Sequence, residues 1–352
     1  MRPAGIAWID EPGATAWGEC EDGGGEQDPG DRAAFRALSC GPADHGADGR
    51  ADADPAGPGA DAAQAGGGPD APAPLPPGRW GDPRELALPL ADRGLLLADG
   101  LFETLWLEDG RPQLLEAHLQ RWRRSAALLG LAAPPSAGQL RPLIAAACRR
   151  SGLQRGALRL NWSRGQADGA RGIDLPAPGE ATAPHRFWFQ LRRAEPLFTP
   201  VSVLISERER RNPASLLSRC KSFAYGSAVQ ARREARQAGA DEALLLDTAG
   251  RLSCGSCANL LLRLDGQWLT PDLGSGCLPG VMRRRGLEQG LLQEAQLLPA
   301  DLQRAEAALL LNSLSCRPIR QWGSRRWPAD ALDWPHQPEP LWRGLLQQPE
   351  AA

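Results

Sequence analysis

The segment from about residue 11 to 77 limits the possible fold more than any other feature of the chain. Gly, Ala, Pro and Asp dominate it, most densely from Gly46 to Pro77. So few large apolar side chains cannot offset the entropy lost when a chain is ordered, and the segment is expected to be disordered. The fold must then come from what flanks it. Ile6-Ala7-Trp8-Ile9 reads as a short strand, with Arg79-Trp80-Gly81 as its hairpin partner. On that reading the segment is an insertion in a hairpin loop, which is tolerated because closure entropy grows only slowly with loop length. Charge divides along the same line. The first 70 residues carry 14 acidic and 4 basic side chains, and the whole chain stands at −2, which leaves +8 for the remainder. A basic folded part suits an anionic ligand, but the excess is too small to argue for nucleic acid.

From about residue 87 the pattern is that of a folded α/β or α+β protein. Leu101 to Leu107 and Pro112 to Leu115 read as strands around an Asp109-Gly110 turn. Leu115, Leu119, Trp122, Ala126 and Leu129 follow helical spacing up to Gly130, and a second helix is expected from Leu140 to Arg150. Strands are expected at Ala157–Trp162, Phe187–Leu191 and Val201–Ile205, then a helix after residue 221 that ends at Gly239. Hairpins follow at 242–253 and 260–269, a helix from Val281 to Leu292, and strands at 307–311 and 318–322. No apolar run reaches the ~18 residues of a membrane helix. No basic stretch leads into an apolar one at the N-terminus, so a cytoplasmic protein without a secretory signal is expected. The eight cysteines are scattered, and Cys254-Gly-Ser-Cys257 lacks the second pair that a zinc site needs, so neither a disulfide framework nor a metal is expected.

Lys and Arg together number 40, yet Lys221 is the only lysine; Tyr225, four residues on, is the only tyrosine. A composition rich in Ala, Gly, Pro and Arg looks like that of a genome biased against Lys and Tyr. A lysine needed only for positive charge can become arginine under such drift. One needed for its amine cannot, because a guanidinium neither loses its proton near neutral pH nor forms an imine. Chance survival of a surface lysine is the bland alternative.

A series of motifs gives that lysine a setting. In order they are Asp92-Arg93-Gly94, Asp99-Gly100-Leu101-Phe102-Glu103-Thr104, His118-Leu119-Gln120-Arg121, and Ser163-Arg164-Gly165 with Arg171-Gly172. Arg211-Asn212-Pro213, Lys221 with Tyr225, Gly239-Ala240-Asp241-Glu242-Ala243, Asn259, Thr270-Pro271, Leu278 to Arg283 and Asn312-Ser313 follow. Each is weak alone, but together and in this order the chain resembles the fold-type IV enzymes that use pyridoxal phosphate (PLP). That family includes branched-chain and D-amino-acid aminotransferases and aminodeoxychorismate lyase. The resemblance spans about residues 78 to 322 plus the first strand.

The resemblance implies a mixed α/β protein of two domains with PLP in the cleft. Residues 1–10 would give the first strand of the small domain, 11–77 the insertion and 78–191 the rest of that domain. Residues 192–198 would be the linker, and 199–345 a larger domain with a mainly antiparallel or mixed sheet. Lys221 would hold the cofactor and serve as general base and acid. Arg121 would grip the phosphate, since guanidinium binds phosphate in a fork; its alternative is a solvated helix charge. Gly280, Val281 and Met282 would offer free N–H groups at a helix start, with Asn312 and Ser313 beside them and the Ser313 hydroxyl as a further donor. Tyr225 would reach the cofactor's phenolic oxygen, or would simply be an aromatic on a buried helix face. Arg164 and Arg171 would meet the substrate carboxylate, unless they are surface arginines. Homodimers are common in the family.

One position departs from the pattern. Where most members carry a glutamate paired with the pyridine nitrogen, this chain has Cys254. A carboxylate keeps that nitrogen protonated and the ring a strong electron sink; a neutral thiol does so far less well. Ser163-Arg164-Gly165 ahead of Arg171-Gly172, Arg211-Asn212-Pro213 and Asn312-Ser313 tilt the resemblance toward aminodeoxychorismate lyase. That enzyme releases pyruvate from 4-amino-4-deoxychorismate to give 4-aminobenzoate for folate synthesis. A branched-chain or D-amino-acid aminotransferase and a relative that has lost catalysis are the alternatives.

Overall fold

The computed structural model describes residues 5–10, 77–166, 173–175, 184–328 and 336–347. The expected disorder of the insertion concerns residues outside this set. Six strands form the first sheet: β1 (Gly5–Asp10), β2 (Gly78–Gly81), β3 (Gly100–Glu108), β4 (Arg111–Pro112), β5 (Gly156–Ser163) and β6 (Arg186–Arg192). Their order is β2-β1-β6-β5-β3-β4. The flanks of the insertion do pair as a hairpin, with Ala7 opposite Gly81 and Trp8 opposite Trp80. Because β1 also pairs with β6, it lies inside the sheet, and Trp8 is packed against Phe187 and Phe189. The β3–β4 turn has Asp109 at φ 50° and Gly110 at φ 71°, the two left-handed residues that a type I′ turn demands.

The helices belonging to this sheet are α1 (Arg93–Leu97), α2 (Leu115–Leu128) and α3 (Ala137–Ser151). Leu115, Leu119 and Trp122 of α2 and Leu140, Leu143 and Ile144 of α3 fall at helical spacing and join one core with the apolar face of the sheet. Ser136 and Gln139 close a capping box at the start of α3. The strand expected to reach Leu115 stops at Pro112, because Leu114 turns left-handed and α2 begins at the next residue.

The chain enters a second sheet at β7 (Val201–Arg211). It then runs through α4 (Leu216–Arg219), α5 (Gly226–Gln237), β8 (Glu242–Asp247), β9 (Leu252–Gly255), β10 (Asn259–Leu264) and β11 (Gln267–Pro271). After α6 (Val281–Glu288) come β12 (Gln293–Ala295), α7 (Pro299–Arg304), β13 (Ala307–Asn312), β14 (Ser315–Trp322), β15 (Arg325–Arg326) and α8 (Pro338–Leu346). The order is β12-β11-β10-β13-β14-β7-β8-β9, and β9 pairs back to β10 through Cys254 and Asn259. Six strands therefore close into a ring with Cys254 and Asn259 at the seam. Pairs β7–β8, β7–β14 and β11–β12 are parallel and the rest antiparallel, so the sheet is mixed, as expected. The helix expected to reach Leu292 ends at Glu288. Gly290 adopts φ 69°, and the chain leaves α6 to lay β12 beside β11. Among the described residues no helix is long and apolar enough to cross a membrane.

Residues 221–223 tie the two sheets together. The Phe102 N–H donates to the Lys221 carbonyl at 2.9 Å, and the Phe223 N–H donates to the Gly100 carbonyl at 2.9 Å. A Cβ on Gly100 would lie 2.2 Å from the Phe223 ring, so only glycine permits this approach. The helix expected directly after Lys221 consequently starts at Gly226, and the lysine sits on extended chain clamped to β3.

Candidate active site

A cavity of about 300 Å³ is lined from both sheets, within the size range of small-cofactor pockets. Lys221 and Tyr225 share one wall. The Lys221 Nζ donates to the Tyr225 hydroxyl at 3.2 Å and lies 4.5 Å over the Phe102 ring. Tyr225 packs edge-on against Phe102 with centroids 5.3 Å apart, so the amine is held by aromatic faces rather than by a carboxylate.

A second group of cavity residues offers N–H donors suited to an anion. Arg121 on α2 is one of them, but most of its fork is engaged. Its Nε and Nη2 donate to Glu103 at 2.8 and 2.5 Å, and its Nη1 to the Pro279 carbonyl at 3.2 Å. Two of its five N–H groups are left for a ligand. Glu103 is wholly buried. Burial works to raise its pKa, but Arg121 and His118 outweigh it and hold the carboxyl at about 2. The carboxylate also takes the Nδ1–H of His118 at 2.7 Å. Burial, aided by the neighbouring Arg121 and Lys221 charges, pushes the His118 pKa below its ordinary value despite Glu103. With Nδ1 donating to Glu103, a neutral ring leaves Nε2 as the acceptor for the Ser313 hydroxyl 3.2 Å away. With the ring neutral the Ser313 proton is engaged on Nε2, so the donor role expected from the sequence requires a change at His118.

Gly280, Val281 and Met282 all line the cavity at the N-terminus of α6. The first intrahelical bond runs from the Arg284 N–H to the Gly280 carbonyl, so the N–H groups before it have no partner within the helix. Asn259 fixes this turn by donating to the Leu278 carbonyl at 2.9 Å, and a Cβ on Gly280 would lie 1.9 Å from its Oδ1. Asn312 also lines the cavity, yet its side chain holds the β13–β14 turn through Leu314 N, Ser315 Oγ and the Cys257 carbonyl. Cys254 lines the cavity from the ring seam. Burial, opposed by Arg211, pushes its thiol up to about 11. It is an uncharged S–H group at neutral pH.

Of the two expected substrate arginines, Arg164 is not among the residues that line the cavity. Arg164 pairs with Asp99 at 2.8 Å and caps the Gly130 and Leu129 carbonyls at 2.6 and 2.8 Å, outside the pocket. Its guanidinium is committed to joining the end of α2 to β5. Arg171 lies outside the described residues. The cavity instead contains Arg159 of β5, with its guanidinium 3.6 Å over the Phe102 ring. Its Nε donates to Asn161 at 2.8 Å, and its terminal nitrogens make no hydrogen bond to the described residues. The sequence signal for it is an arginine flanked by Leu158 and Leu160 in a mostly apolar strand. Arg211 lines the cavity too, tied through Nε to the Gly276 carbonyl and through Nη2 to that of Ser218.

The residues present fit PLP. Partly uncommitted guanidinium N–H groups and helix-start amides suit a phosphate, and a lysine amine lines the same cavity.

Comparison with known proteins agrees. The model of the family described as amino-transferase class IV matches residues 100–322. The bifunctional aminodeoxychorismate lyase / D-amino acid transaminase of Mycobacterium tuberculosis is 30% identical over 53% of this chain and 62% of its own length. The branched-chain-amino-acid aminotransferase of Pseudomonas aeruginosa is 28% identical over 60% of this chain and 71% of its own. The crystal structure of 4-amino-4-deoxychorismate lyase from Pseudomonas aeruginosa superimposes with a TM-score of 0.57 at 33% identity, covering 69% of this chain and 90% of that one.

Proposed function

Because the chain belongs to the class IV amino-transferase family, whose enzymes work with PLP, we propose that it is a lyase that converts 4-amino-4-deoxychorismate to 4-aminobenzoate and pyruvate, serving folate synthesis. When bound, PLP supplies a carbonyl that captures the substrate amine and a ring that withdraws electrons from it. The protein's own groups do the rest. Arg121, the first amides of α6 and Ser313 hold the phosphate end, and Lys221 holds the cofactor's reactive end. The Lys221 Nζ, once free, takes a proton from the substrate ring on this reading, a role that its hydrogen bond to the Tyr225 hydroxyl supports. Arg159, whose terminal nitrogens make no hydrogen bond among the described residues, offers them to a substrate carboxylate.

The observation that carries the choice of lyase is the neutral thiol of Cys254. Transamination leans on a protonated pyridine nitrogen, and a thiol held at about 11 supplies no charge to keep it so. Loss of the enolpyruvyl group leaves an aromatic product, and that aromatisation supplies driving force a weak sink does not. The related lyase structure at 33% identity adds support. The test is to supply purified enzyme with 4-amino-4-deoxychorismate and follow pyruvate, alongside amino transfer from branched-chain and D-amino acids to 2-oxoglutarate. Pyruvate release well above amino transfer supports the lyase; the reverse order assigns the chain to the aminotransferases.

A further inference from the structure

Glu103, His118 and Ser313 come from three distant parts of the sequence and form one line that reaches the cavity at Ser313. The Ser313 oxygen is 3.2 Å from His118 Nε2, and His118 Nδ1 is 2.7 Å from Glu103. His118 and Glu103 are both buried. The charge balance here is unusual for an anion site. Glu103 cancels Arg121, and neutral His118 adds nothing. With its proton on Nε2, Ser313 has only lone pairs to offer, so an arriving phosphate oxygen would meet an acceptor. The charged groups that act on His118 are Glu103 from β3, Arg121 from its own helix, and Lys221 from the clamped segment. Arg284 of α6 acts on Arg121 in turn.

We propose that His118 is a proton-accepting positioning residue: binding of a phosphomonoester draws one proton from solvent onto Nε2 and so turns Ser313 into a donor. In the bound state Nε2–H donates to Ser313 Oγ, and the Ser313 O–H rotates to the phosphate. Glu103 then faces two cations, Arg121 and the imidazolium, through the hydrogen bonds it already makes. The bookkeeping is one proton taken from water or buffer and none lost by the protein. A carboxylate buried between an arginine and a histidine makes this possible, because it stabilises the added charge without moving.

This inference rests on the family's cofactor and not on the choice of lyase. The test uses cofactor-free protein and pyridoxine 5'-phosphate, which carries the phosphate but no aldehyde for Lys221, with pyridoxine as the control without phosphate. Between pH 7 and 9 the affinity of wild type for the phosphate ester should fall about tenfold per pH unit more steeply than in Ser313→Ala or His118→Gln, as linkage to one proton requires. The chain has only 4 histidines, so the imidazole nitrogen resonances of His118 can be assigned through His118→Gln and followed directly. They should move from the neutral to the doubly protonated pattern when the ester binds at pH 7.5. A neutral His118 in the bound state, or the same pH slope in wild type and Ser313→Ala, overturns the proposal. Failure of the ester to bind at any pH removes the cofactor reading and this proposal together, whereas binding with His118 still neutral removes only this one.

Discussion

Replacing Cys254 with glutamate tests the assignment of a weak electron sink. Burial lifts this thiol from 9.0 to about 11, with Arg211 pulling the other way. Two units correspond to roughly 3 kcal/mol against ionisation, so about one thiol in ten thousand is charged at pH 7. A carboxyl carrying the same desolvation penalty would start from a far lower reference value and still be largely ionised there. Cys254→Glu therefore places a full negative charge where the wild type has none, at the seam where β9 meets β10. Without cofactor that charge should destabilise the fold by about 1–3 kcal/mol, read as a lowered urea midpoint. With PLP bound the loss should largely disappear, because a protonated pyridine nitrogen partners the carboxylate. Single-turnover amino transfer from an amino acid should rise at least tenfold, with a smaller change in pyruvate release from 4-amino-4-deoxychorismate. If the variant shows the same cofactor absorbance and the same amino transfer as wild type, then Cys254 does not set the ring's electron demand.

Lys221→Arg retains the charge and loses the amine, so it should fold normally yet show no borohydride-sensitive visible band with PLP. Glu103→Gln leaves Arg121 without its buried counter-charge and should cost about 3–5 kcal/mol by chemical denaturation. Arg159→Leu and Arg164→Leu should separate binding from folding. The first should raise KM several-fold with little change in Tm; the second should lower Tm, by loss of the Asp99 pair and the α2 cap, with KM unmoved. Asp10 gives a pH test of the first sheet. Burial raises it from 3.8 to about 6 against the opposing Phe187 amide and Arg186. Its protonated form is favoured in the fold, so its contribution is complete below about pH 4 and is lost as pH rises through about 6, by roughly 3 kcal/mol in all. Asp10→Asn should flatten that part of the stability profile between pH 4 and 8, measured by denaturant midpoints.

Local signals made much of this structure legible. The hairpin between Trp8 and Trp80 could be read across the insertion because both flanks are aromatic strand sequences next to a segment with nothing to bury. The Asp109-Gly110 turn and the α2 stripe needed only short-range pattern. Less legible was anything set by long-range pairing. The delayed start of α5 comes from hydrogen bonds between residues 221–223 and β3, more than a hundred positions away. The end of α6 at Glu288 comes from the pairing of β12 with β11. In the site, Lys221 announced itself through composition, but the direction of an arginine cannot be read from its letter. Arg164 points to Asp99 and the end of α2, and Arg159 points into the cavity, although both lie on or just beyond the same strand.

The polar residues of the two sheets divide, by what they bond, into those spent on the frame and those with bonding capacity left toward the cavity. Asp92 holds Ser163 and the Gly94 amide, Asp99 joins Arg93 to Arg164, Asp247 holds the turn before Arg251, and Asn259 holds the loop at Leu278. None of these can choose a reaction, since each spends its hydrogen-bonding capacity on the chain itself. On the proposed reading those that can choose are few: Lys221, Tyr225, Arg159, Ser313 and Cys254, all of which line the cavity. That division explains why a bifunctional lyase/transaminase and a branched-chain aminotransferase resemble this chain to nearly the same degree, at 30% and 28% identity. Overall identity is a measure of the shared frame, and the reaction is decided by a handful of side chains that contribute little to it. The thiol at 254 lines the cavity, and by the resemblance it stands where the family carries a glutamate. It therefore says more about the chemistry than the many positions that agree.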